Sequence, residues 1–236
     1  MTEVGKFDIL GAANHGWLDA RHHFSFAGYH DPARVHWGAL RVWNDDTIAA
    51  NTGFPPHGHN DMEIITYVRK GAITHKDSLG NEGRTEAGDV QVMSAGSGVQ
   101  HSEYNREDED TQIFQIWIIP DERGGEPRWG AKPFPKSDRS GQFVTLASGG
   151  AEANGNDGAL SIRADASVLG ATLKAGESLT YRPRDASRHL YLVPATGAIS
   201  VEGKDAEARD GVAITGRDSI TITASEDAEL VLVDAA

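Results

Sequence analysis

HGH (residues 57–59) and HSE (residues 101–103) each place two metal-capable side chains at positions i and i+2. Alternate residues of a β-strand point to the same face, about 6.5–7 Å apart along the backbone. Two such pairs on neighbouring strands can therefore direct three imidazoles and one carboxylate at a single point. Imidazole and carboxylate together suit a divalent transition metal. The two stretches predict a mononuclear metal site within a β structure.

Short apolar runs separated by turn signals recur along the whole chain, which is typical of an all-β protein. Strands are predicted for residues 35–42, 61–68, 90–93 and 111–119, with a turn at Asn44-Asp45-Asp46. Pro55 and Pro56 favour the start or the edge of a strand over its middle. Seven further apolar runs follow between residues 143 and 233, and no long amphipathic pattern marks a helix. We therefore expect an all-β fold in which a second β-sandwich or barrel follows the first.

The composition changes at residues 120–141, which are rich in glycine, proline and charged residues. This change predicts a linker between two domains. We place the domains at residues 1–131 and 132–236, each long enough to bury its own core. Nine of the ten histidines lie in the first of them. Metal chemistry is therefore expected in the N-terminal domain. The C-terminal domain has no His-x-His pair and is expected to hold no metal.

Composition and charge exclude several classes of function. A net charge of −13 with no Lys/Arg-rich run repels phosphate and argues against direct nucleic-acid binding. The absence of cysteine excludes disulfides, iron–sulfur clusters and thiol nucleophiles. No basic region precedes an apolar core at the N-terminus, and no run of about 18 apolar residues occurs, so neither a secretory signal nor a membrane span is expected. The expected location is cytoplasmic.

The spacing around the histidines resembles the paired motifs of the cupin superfamily. The first motif reads Gly53-x3-His57-x-His59-x3-Glu63-x7-Gly71, and the second reads Gly88-x5-Ser94-x-Gly96-x4-His101-x3-Asn105. The first motif has fewer residues before its first histidine than is usual. Both motifs together make the metal prediction far more specific than a lone His-x-His pair.

A narrower resemblance is to the pirin family. It is dense from about residue 6 to residue 119, weaker beyond, and carried by RHHFSFA (21–27), LRVWNDD (40–46), MEIITYV (62–68), HKDSLGN (75–81) and GDVQVMSAGSGVQHSE (88–103). The resemblance implies a bicupin, two cupin-type β-barrels in one chain, with one metal in the N-terminal barrel. It also implies four ligands at His57, His59, His101 and Glu103. Fe(II) is the expected metal, with Mn, Ni, Co, Cu or Zn as alternatives.

The identity of the carboxylate ligand has two readings. Glu63 lies an even number of positions after His57 and His59, so on an unbroken strand the three side chains would face the same lumen. Most cupins use the position of Glu63 as the ligand, whereas the pirin resemblance implies Glu103. We prefer Glu103, because its i+2 spacing from His101 repeats the geometry of the first pair. Glu63 is then expected to be an acid near the metal or facing the substrate, with a solvated strand carboxylate as the alternative.

Other residues have lesser expected roles. At most one of His22 and His23 is expected to line the mouth of the pocket. His36 and His75 are expected to be hydrogen-bonded structural residues, and His189 begins a strand of the second barrel. A dry wall around the site is a candidate role for five apolar residues: Phe24, Phe26, Met62, Met93 and Phe114.

Two functions follow from these expectations. Three neutral imidazoles and one carboxylate leave a divalent centre with a charge of about +1, which attracts an enolate or phenolate. Glu103 or Glu63 could then take the proton of a substrate hydroxyl. The pirin resemblance implies quercetin 2,3-dioxygenase activity, with an aromatic or enediol small molecule and O2 as substrates. The alternative is a non-enzymatic metal or redox sensor that binds a protein partner, since the resemblance also implies a transcription-cofactor role in some relatives.

Overall fold

The structure, a computed structural model, describes residues 1–150 and 158–236. Within this part of the chain the regular elements are β-strands and two short 3-10 helices, Phe7–Ile9 and Lys136–Arg139. The strands are β1 (Thr2–Gly5), β2 (Gly11–Asn14), β3 (Leu18–His22), β4 (Leu40–Ile48), β5 (Gly53–His59), β6 (Glu63–Lys70), β7 (Ala72–Asp77), β8 (Glu82–Glu86), β9 (Val90–Ser94), β10 (Val99–Tyr104), β11 (Thr111–Ile118), β12 (Arg128–Lys132), β13 (Val144–Ser148), β14 (Leu160–Ser161), β15 (Ala166–Leu173), β16 (Ser178–Tyr181), β17 (His189–Thr196), β18 (Ile199–Val201), β19 (Lys204–Ala206), β20 (Gly211–Ile214), β21 (Ile220–Ala224) and β22 (Ala228–Ala235).

Four sheets form two barrels, so the predicted all-β bicupin architecture is confirmed. The N-terminal barrel pairs a seven-stranded sheet, β12-β9-β6-β11-β4-β3-β2, with a four-stranded sheet, β5-β10-β7-β8. The C-terminal barrel repeats this plan with β1-β20-β17-β22-β15-β13-β14 and β16-β21-β18-β19. The first strand of the chain therefore belongs to the C-terminal barrel, where it pairs antiparallel with β20.

The two seven-stranded sheets pack against each other, because alternate residues of their central strands form one apolar cluster. Trp43 and Phe114 from the N-terminal barrel meet Tyr191 and Val193 from the C-terminal barrel in this cluster. The ring centroids of Trp43 and Tyr191 are 5.6 Å apart. The residues between these positions point the other way, into the lumen of their own barrel. The sheet-to-sheet contact thus fixes which side chains face each lumen.

The two lumens differ in chemistry. The buried members of the cluster that fills the C-terminal barrel are all Leu, Ile, Val or Ala residues. In the N-terminal barrel, buried polar side chains lie between two smaller apolar clusters. A buried polar group is retained only where it has hydrogen-bond partners or a function. The N-terminal lumen is therefore the place to look for a site.

The turn predicted at Asn44-Asp45-Asp46 is wrong. These residues lie in the middle of β4 and are 3%, 0% and 2% exposed. Polar residues of this type usually mark turns, but here each has a reason to be buried. Asn44 Oδ1 accepts a 2.8 Å hydrogen bond from His22 Nδ1–H, and Asp45 forms ion pairs with Arg69 and Arg209. The predicted strand at 35–42 accordingly begins later, at Leu40.

The segment at 120–141 contains regular structure as well as loops. β12 adds to the edge of the large N-terminal sheet by pairing with β9, and the second 3-10 helix follows it. The domain limits at 131 and 132 stay a prediction. Among the described residues, no helix is both long enough and apolar enough to cross a membrane.

Candidate metal centre

Two neighbouring strands of the small N-terminal sheet bring three histidines together. β5 is the edge strand, as its two prolines predicted, and it pairs antiparallel with β10, with His57 opposite His101 and His59 opposite Val99. The imidazole centroids are 4.5 Å apart for His57 and His101, 4.8 Å for His57 and His59, and 5.0 Å for His59 and His101. One ring nitrogen from each histidine lies within 4.8 Å of the other two. This spacing suits three ligands of one ion.

The protonation of these imidazoles favours metal binding. Burial, together with the neighbouring histidines, lowers the pKa of His101 to about 2. Burial and the nearby His57 lower the pKa of His59 to about 4. Both rings are therefore neutral near pH 7 and carry a free lone pair. His57 Nδ1–H donates to the carbonyl oxygen of Pro55 over 2.8 Å, which leaves its Nε2 available.

His101 shows most directly that the cluster fits a metal. Its ring is 3% exposed, and its Nε2 is buried without a hydrogen-bond partner in the described part of the chain. An unpaired buried nitrogen costs free energy unless it has another partner. A metal ion held by imidazole nitrogens would satisfy it. The donor set thus fits a divalent metal.

Glu103 is held rigidly beside this cluster. Its carboxylate accepts hydrogen bonds from Thr66 Oγ1 at 3.1 Å, Gln91 Nε2 at 2.5 Å and Gln115 Nε2 at 2.7 Å. Burial, partly offset by these hydrogen bonds, raises its pKa to about 7. A register shift in β10 separates it from His101. Glu103 lies within 4.8 Å of His101 and His75, and these three residues form a second cluster that shares His101 with the first.

Glu63 occupies a different position from the one that its parity with His57 and His59 suggested. β5 and β6 belong to different sheets, and a turn with Asp61 at φ 47° separates them, so the strand is broken and parity does not carry across. Glu63 is 1% exposed, which excludes the solvated alternative. Its carboxylate accepts a 2.6 Å hydrogen bond from Ser94 Oγ, which in turn accepts one from Arg128 Nε. Glu63 is in neither histidine cluster of the described residues.

A cavity of about 340 Å³ is lined mainly by residues of β2, β3, β4, β5 and β11. Two of its lining residues contact the site directly, and a third does so through Trp117. Phe54 packs on His57 with centroids 6.3 Å apart, Phe26 packs on Trp117, which packs on His59 at 5.0 Å, and Gln115 donates to Glu103. The other lining residues are Ala13, His15, Trp17, Leu18, Ala20, His22, Ala27, Asn44 and Asp46.

The aromatic wall differs from the predicted one. Of the five residues proposed for it, Phe26 alone is among the residues that line the cavity. Phe24 and Phe114 belong to the cluster between the barrels, and Met62 and Met93 pack in a separate cluster under the small sheet. Trp17 and Phe54 take their place, with ring centroids 5.1 Å apart. No pattern in the sequence marks Trp17 as a cavity residue, because only the pairing of β3 with β4 brings it there.

Asp46 is a second cavity residue that sequence reasoning missed. It is 2% exposed, and its Oδ1 has no hydrogen-bond partner within the described ranges. Burial, the neighbouring Asp45 and Glu103 raise its pKa well above the ordinary value. A protonated carboxyl group can donate a hydrogen bond. Asp46 thus adds to the cavity wall a carboxyl group that can donate a hydrogen bond when it is protonated.

The remaining histidines lie where the sequence suggested or close to it. His22 lines the cavity, whereas His23 is fully buried between the barrels against Tyr191. His36 is exposed and contacts the Gly38 carbonyl, and His189 packs edge-on against Trp37. Both clusters found among the described residues lie in the N-terminal barrel. The lack of a metal in the C-terminal barrel stays a prediction.

Two cupin-type barrels, with a histidine cluster inside the first, define a bicupin with one candidate metal centre. Comparison with family models then places both halves of the chain: residues 6–118 match the Pirin model, and residues 145–235 match the quercetinase C-terminal cupin domain. The chain belongs to the pirin family.

Relatives of known name span nearly the whole chain. It is 67% identical over 236 residues to a pirin-like protein of Caulobacter vibrioides, covering 100% of both chains. It is 40% identical over 235 residues to the quercetin 2,3-dioxygenase of Escherichia coli K12, covering 99% of this chain and 98% of that one. The crystal structure of the E. coli pirin YhhW in complex with nickel(II) superposes with a TM-score of 0.92 at 38% identity, covering 100% of this chain and 99% of that chain.

Proposed function

We propose that this protein is a metal-dependent dioxygenase of the quercetinase type, which takes a flavonol-like or other enediol substrate and O2. One observation carries the proposal: three imidazoles converge within 4.8 Å of one another, near a cavity whose lining residues Phe54 and Gln115 contact His57 and Glu103 respectively. The names of its relatives support the reaction type.

We assign His57, His59, His101 and Glu103 as the metal ligands. The histidines are supported by their mutual distances, and Glu103 by its distance from His101 and by the three hydrogen bonds that orient it. A relative of the same fold has been crystallised with nickel(II). Fe(II) is our choice for the native metal, because mixed histidine and carboxylate ligands with open positions are typical of non-haem iron oxygenases. Such a metal supplies Lewis acidity towards a substrate oxygen and redox chemistry with O2.

The side chains of the cavity perform the other tasks. A volume of about 340 Å³ is within the range of pockets that bind small organic ligands. Phe26, Phe54 and Trp17 offer flat apolar surfaces to an aromatic substrate and exclude water. Asp46 and His22 offer polar contacts at the same wall. They would orient a substrate whose hydroxyl groups lie at its edge.

Glu103 is also the carboxylate that we assign as the acceptor of the substrate hydroxyl proton. It is grouped with His101, which belongs to the histidine cluster, and Thr66, Gln91 and Gln115 hold it in place. A proton acceptor must lie within hydrogen-bond reach of the proton that it takes. A catalytic role for Glu63 stays a weaker proposal. Its carboxylate is hydrogen-bonded to Ser94, which is hydrogen-bonded to Arg128, and Glu63 is not among the residues that line the cavity.

The test is an assay of Fe(II)-loaded protein with quercetin in air and under anaerobic conditions. We expect loss of the flavonol absorbance only in air, with both atoms of ¹⁸O2 in the product. His101→Ala should abolish turnover, and His36→Ala, which changes an exposed histidine outside the cavity, should retain it. Fully metal-loaded protein that leaves quercetin unchanged in air would contradict the proposal and favour a metal sensor.

A further inference from the structure

The segment HKDSLGN, residues 75–81, has no part in the metal site as assigned above, yet it lies directly beside it. β7 pairs with β10 on the side opposite to β5, with His75 facing Glu103 and Asp77 facing His101 across the strands. The side chains of His75 and Asp77 are almost completely buried, at 1% and 0% exposure. A buried histidine–carboxylate pair next to a metal ligand calls for a physical reason.

The turn after β7 fixes the carboxylate of Asp77. Its Oδ1 accepts hydrogen bonds from the backbone N–H groups of Leu79 and Asn81, both at 3.0 Å. Its Oδ2 accepts a 2.9 Å hydrogen bond from Asn81 Nδ2 and a 3.0 Å hydrogen bond from His75 Nε2–H. Aspartate at such a turn mimics a backbone turn and is held rigidly. Both carboxylate oxygens are therefore occupied as acceptors.

This arrangement determines the tautomer of His75. An ionised carboxylate only accepts hydrogen bonds, so His75 Nε2 carries the proton and its Nδ1 carries a lone pair. The indole of Trp129 stacks on the imidazole of His75, with centroids 4.8 Å apart and planes inclined by 8°. This stack holds the plane of the ring, so the Nδ1 lone pair has a fixed direction.

His75 Nδ1 faces His101 Nδ1 at 3.4 Å. Because His75 Nδ1 carries a lone pair, His101 Nδ1–H must be the donor. A neutral His101 then has its lone pair on Nε2, the atom that is buried without a hydrogen-bond partner in the described structure. His101 donates to His75, and His75 donates to Asp77. These two hydrogen bonds leave the lone pair of His101 on Nε2, which faces the candidate metal site.

We propose that His75 and Asp77 are positioning residues that hold His101 in the tautomer with a free Nε2, and thereby prepare the N-terminal barrel to bind its metal. The proposal rests on the metal site of the proposed function but not on the dioxygenase reaction. Outer partners of metal-bound histidines affect affinity by about 10–100-fold.

Two variants separate this role from simple packing. Asp77→Asn keeps the size of the side chain, but its amide can donate to His75 Nε2. That would move the proton of His75 to Nδ1, and His101 would then carry its own proton on Nε2, where it blocks the metal. His75→Phe keeps the stack on Trp129 and removes both hydrogen bonds. His75→Gln can donate to Asp77 and accept from His101, so it should restore the wild-type behaviour in part. His36→Phe is the matched control.

The first measurement is ¹⁵N NMR of the metal-free full-length protein with labelled histidine. We expect an unprotonated Nε2 for His101 in the wild type and a protonated Nε2 in Asp77→Asn. The second is the Kd for Ni(II) from competition with a chelator, which should rise by about 10–100-fold in Asp77→Asn and His75→Phe, less in His75→Gln, and not in His36→Phe. An unchanged His101 tautomer in Asp77→Asn would overturn the proposal.

X-ray absorption of the Ni(II) protein provides a further check. The proposal requires the same number of imidazole ligands in the wild type and in His75→Phe. His75 belongs to the second cluster with His101 and Glu103. Loss of one imidazole from the nickel in His75→Phe would show that His75 is itself a ligand, and would overturn the positioning role. The NMR result stands whether or not the protein oxidises quercetin.

Discussion

Arg209 Nε donates a 2.5 Å hydrogen bond to Oδ2 of Asp45, although 164 positions separate the two residues in the chain. Asp45 lies in the N-terminal barrel and is completely buried, and its Oδ1 pairs with Arg69 of the same barrel. Arg209 precedes β20 in the C-terminal barrel, where its guanidinium also lies 3.9 Å from the centroid of the Phe7 ring. A single carboxylate therefore pairs with one cation from each barrel.

Asp45→Ala should destabilise the protein strongly. It removes the shared carboxylate and leaves Arg69, whose side chain is 7% exposed, as an uncompensated buried cation. Breaking a buried ion pair in this way costs about 3–5 kcal/mol, which urea unfolding would measure. The control is Glu109→Ala, which removes an ion pair with Lys70 whose partners are 58% and 80% exposed. Equal unfolding midpoints for the two variants would contradict the predicted role of Asp45.

Glu103→Gln and Glu63→Gln should differ in metal content. Glu103 is grouped with His101 and Glu63 is not, so the first variant loses a proposed ligand and the second retains all four. Loss of a ligand should weaken Ni(II) binding by at least the 10-fold typical of outer partners. Elemental analysis after purification with limiting metal would detect it. Full metal content in Glu103→Gln, with loss in Glu63→Gln, would reverse the assignment of the carboxylate.

His23 should make stability fall with acidification. Burial lowers its folded-state pKa to about 3 from an ordinary value of 6.5. Between these values the unfolded chain binds the proton and the folded chain does not, so protonation favours unfolding. The contribution of neutral His23 is complete above about pH 6.5 and decreases as the pH falls towards 3, by at most about 1.4 kcal/mol per pH unit.

The measurement is the free energy of unfolding of the wild type and of His23→Gln at pH 7.5 and pH 4.5. Titration of all other groups is common to both proteins, so the difference between them isolates His23. The wild type should lose more stability over this interval than the variant. His36→Gln, at an exposed histidine, should follow the wild type. A parallel decline in wild type and His23→Gln would refute the prediction.

Ala13→Trp should block the cavity while leaving the metal in place. Ala13 lines the cavity from β2, which belongs to a different sheet from the histidine-bearing strands β5 and β10. Anaerobic quercetin binding, followed by fluorescence, should weaken by at least about 10-fold, equivalent to about 1.4 kcal/mol. Ala12→Trp is the matched control, because Ala12 is exposed on the opposite face of the same strand. Unchanged quercetin affinity in Ala13→Trp would place the substrate elsewhere.

The sequence predicted the histidine cluster better than the surroundings of that cluster. The i, i+2 spacing of His57 and His59 is local, and it survives in any β-strand, so the pair was foreseeable before the fold was known. Parity failed for Glu63, because the chain turns at Asp61 and enters another sheet. The sequence also did not identify Asp46 as a cavity residue, since three consecutive polar residues indicate a turn unless their distant partners are known.

By itself, the sequence determined the repetition of β-strands and the placement of metal-capable residues in the first half, because strand periodicity and histidine spacing are local properties of the chain. Its resemblance to the pirin family implied the two-barrel plan. Only the tertiary structure decided the rest. It decided that Asp45 pairs with Arg209 of the other barrel, that Trp17 and Asp46 share a cavity, and that His75 joins Asp77 to His101. These relationships depend on strand order and on sheet packing, which bring together residues whose separation in sequence carries no periodic signal.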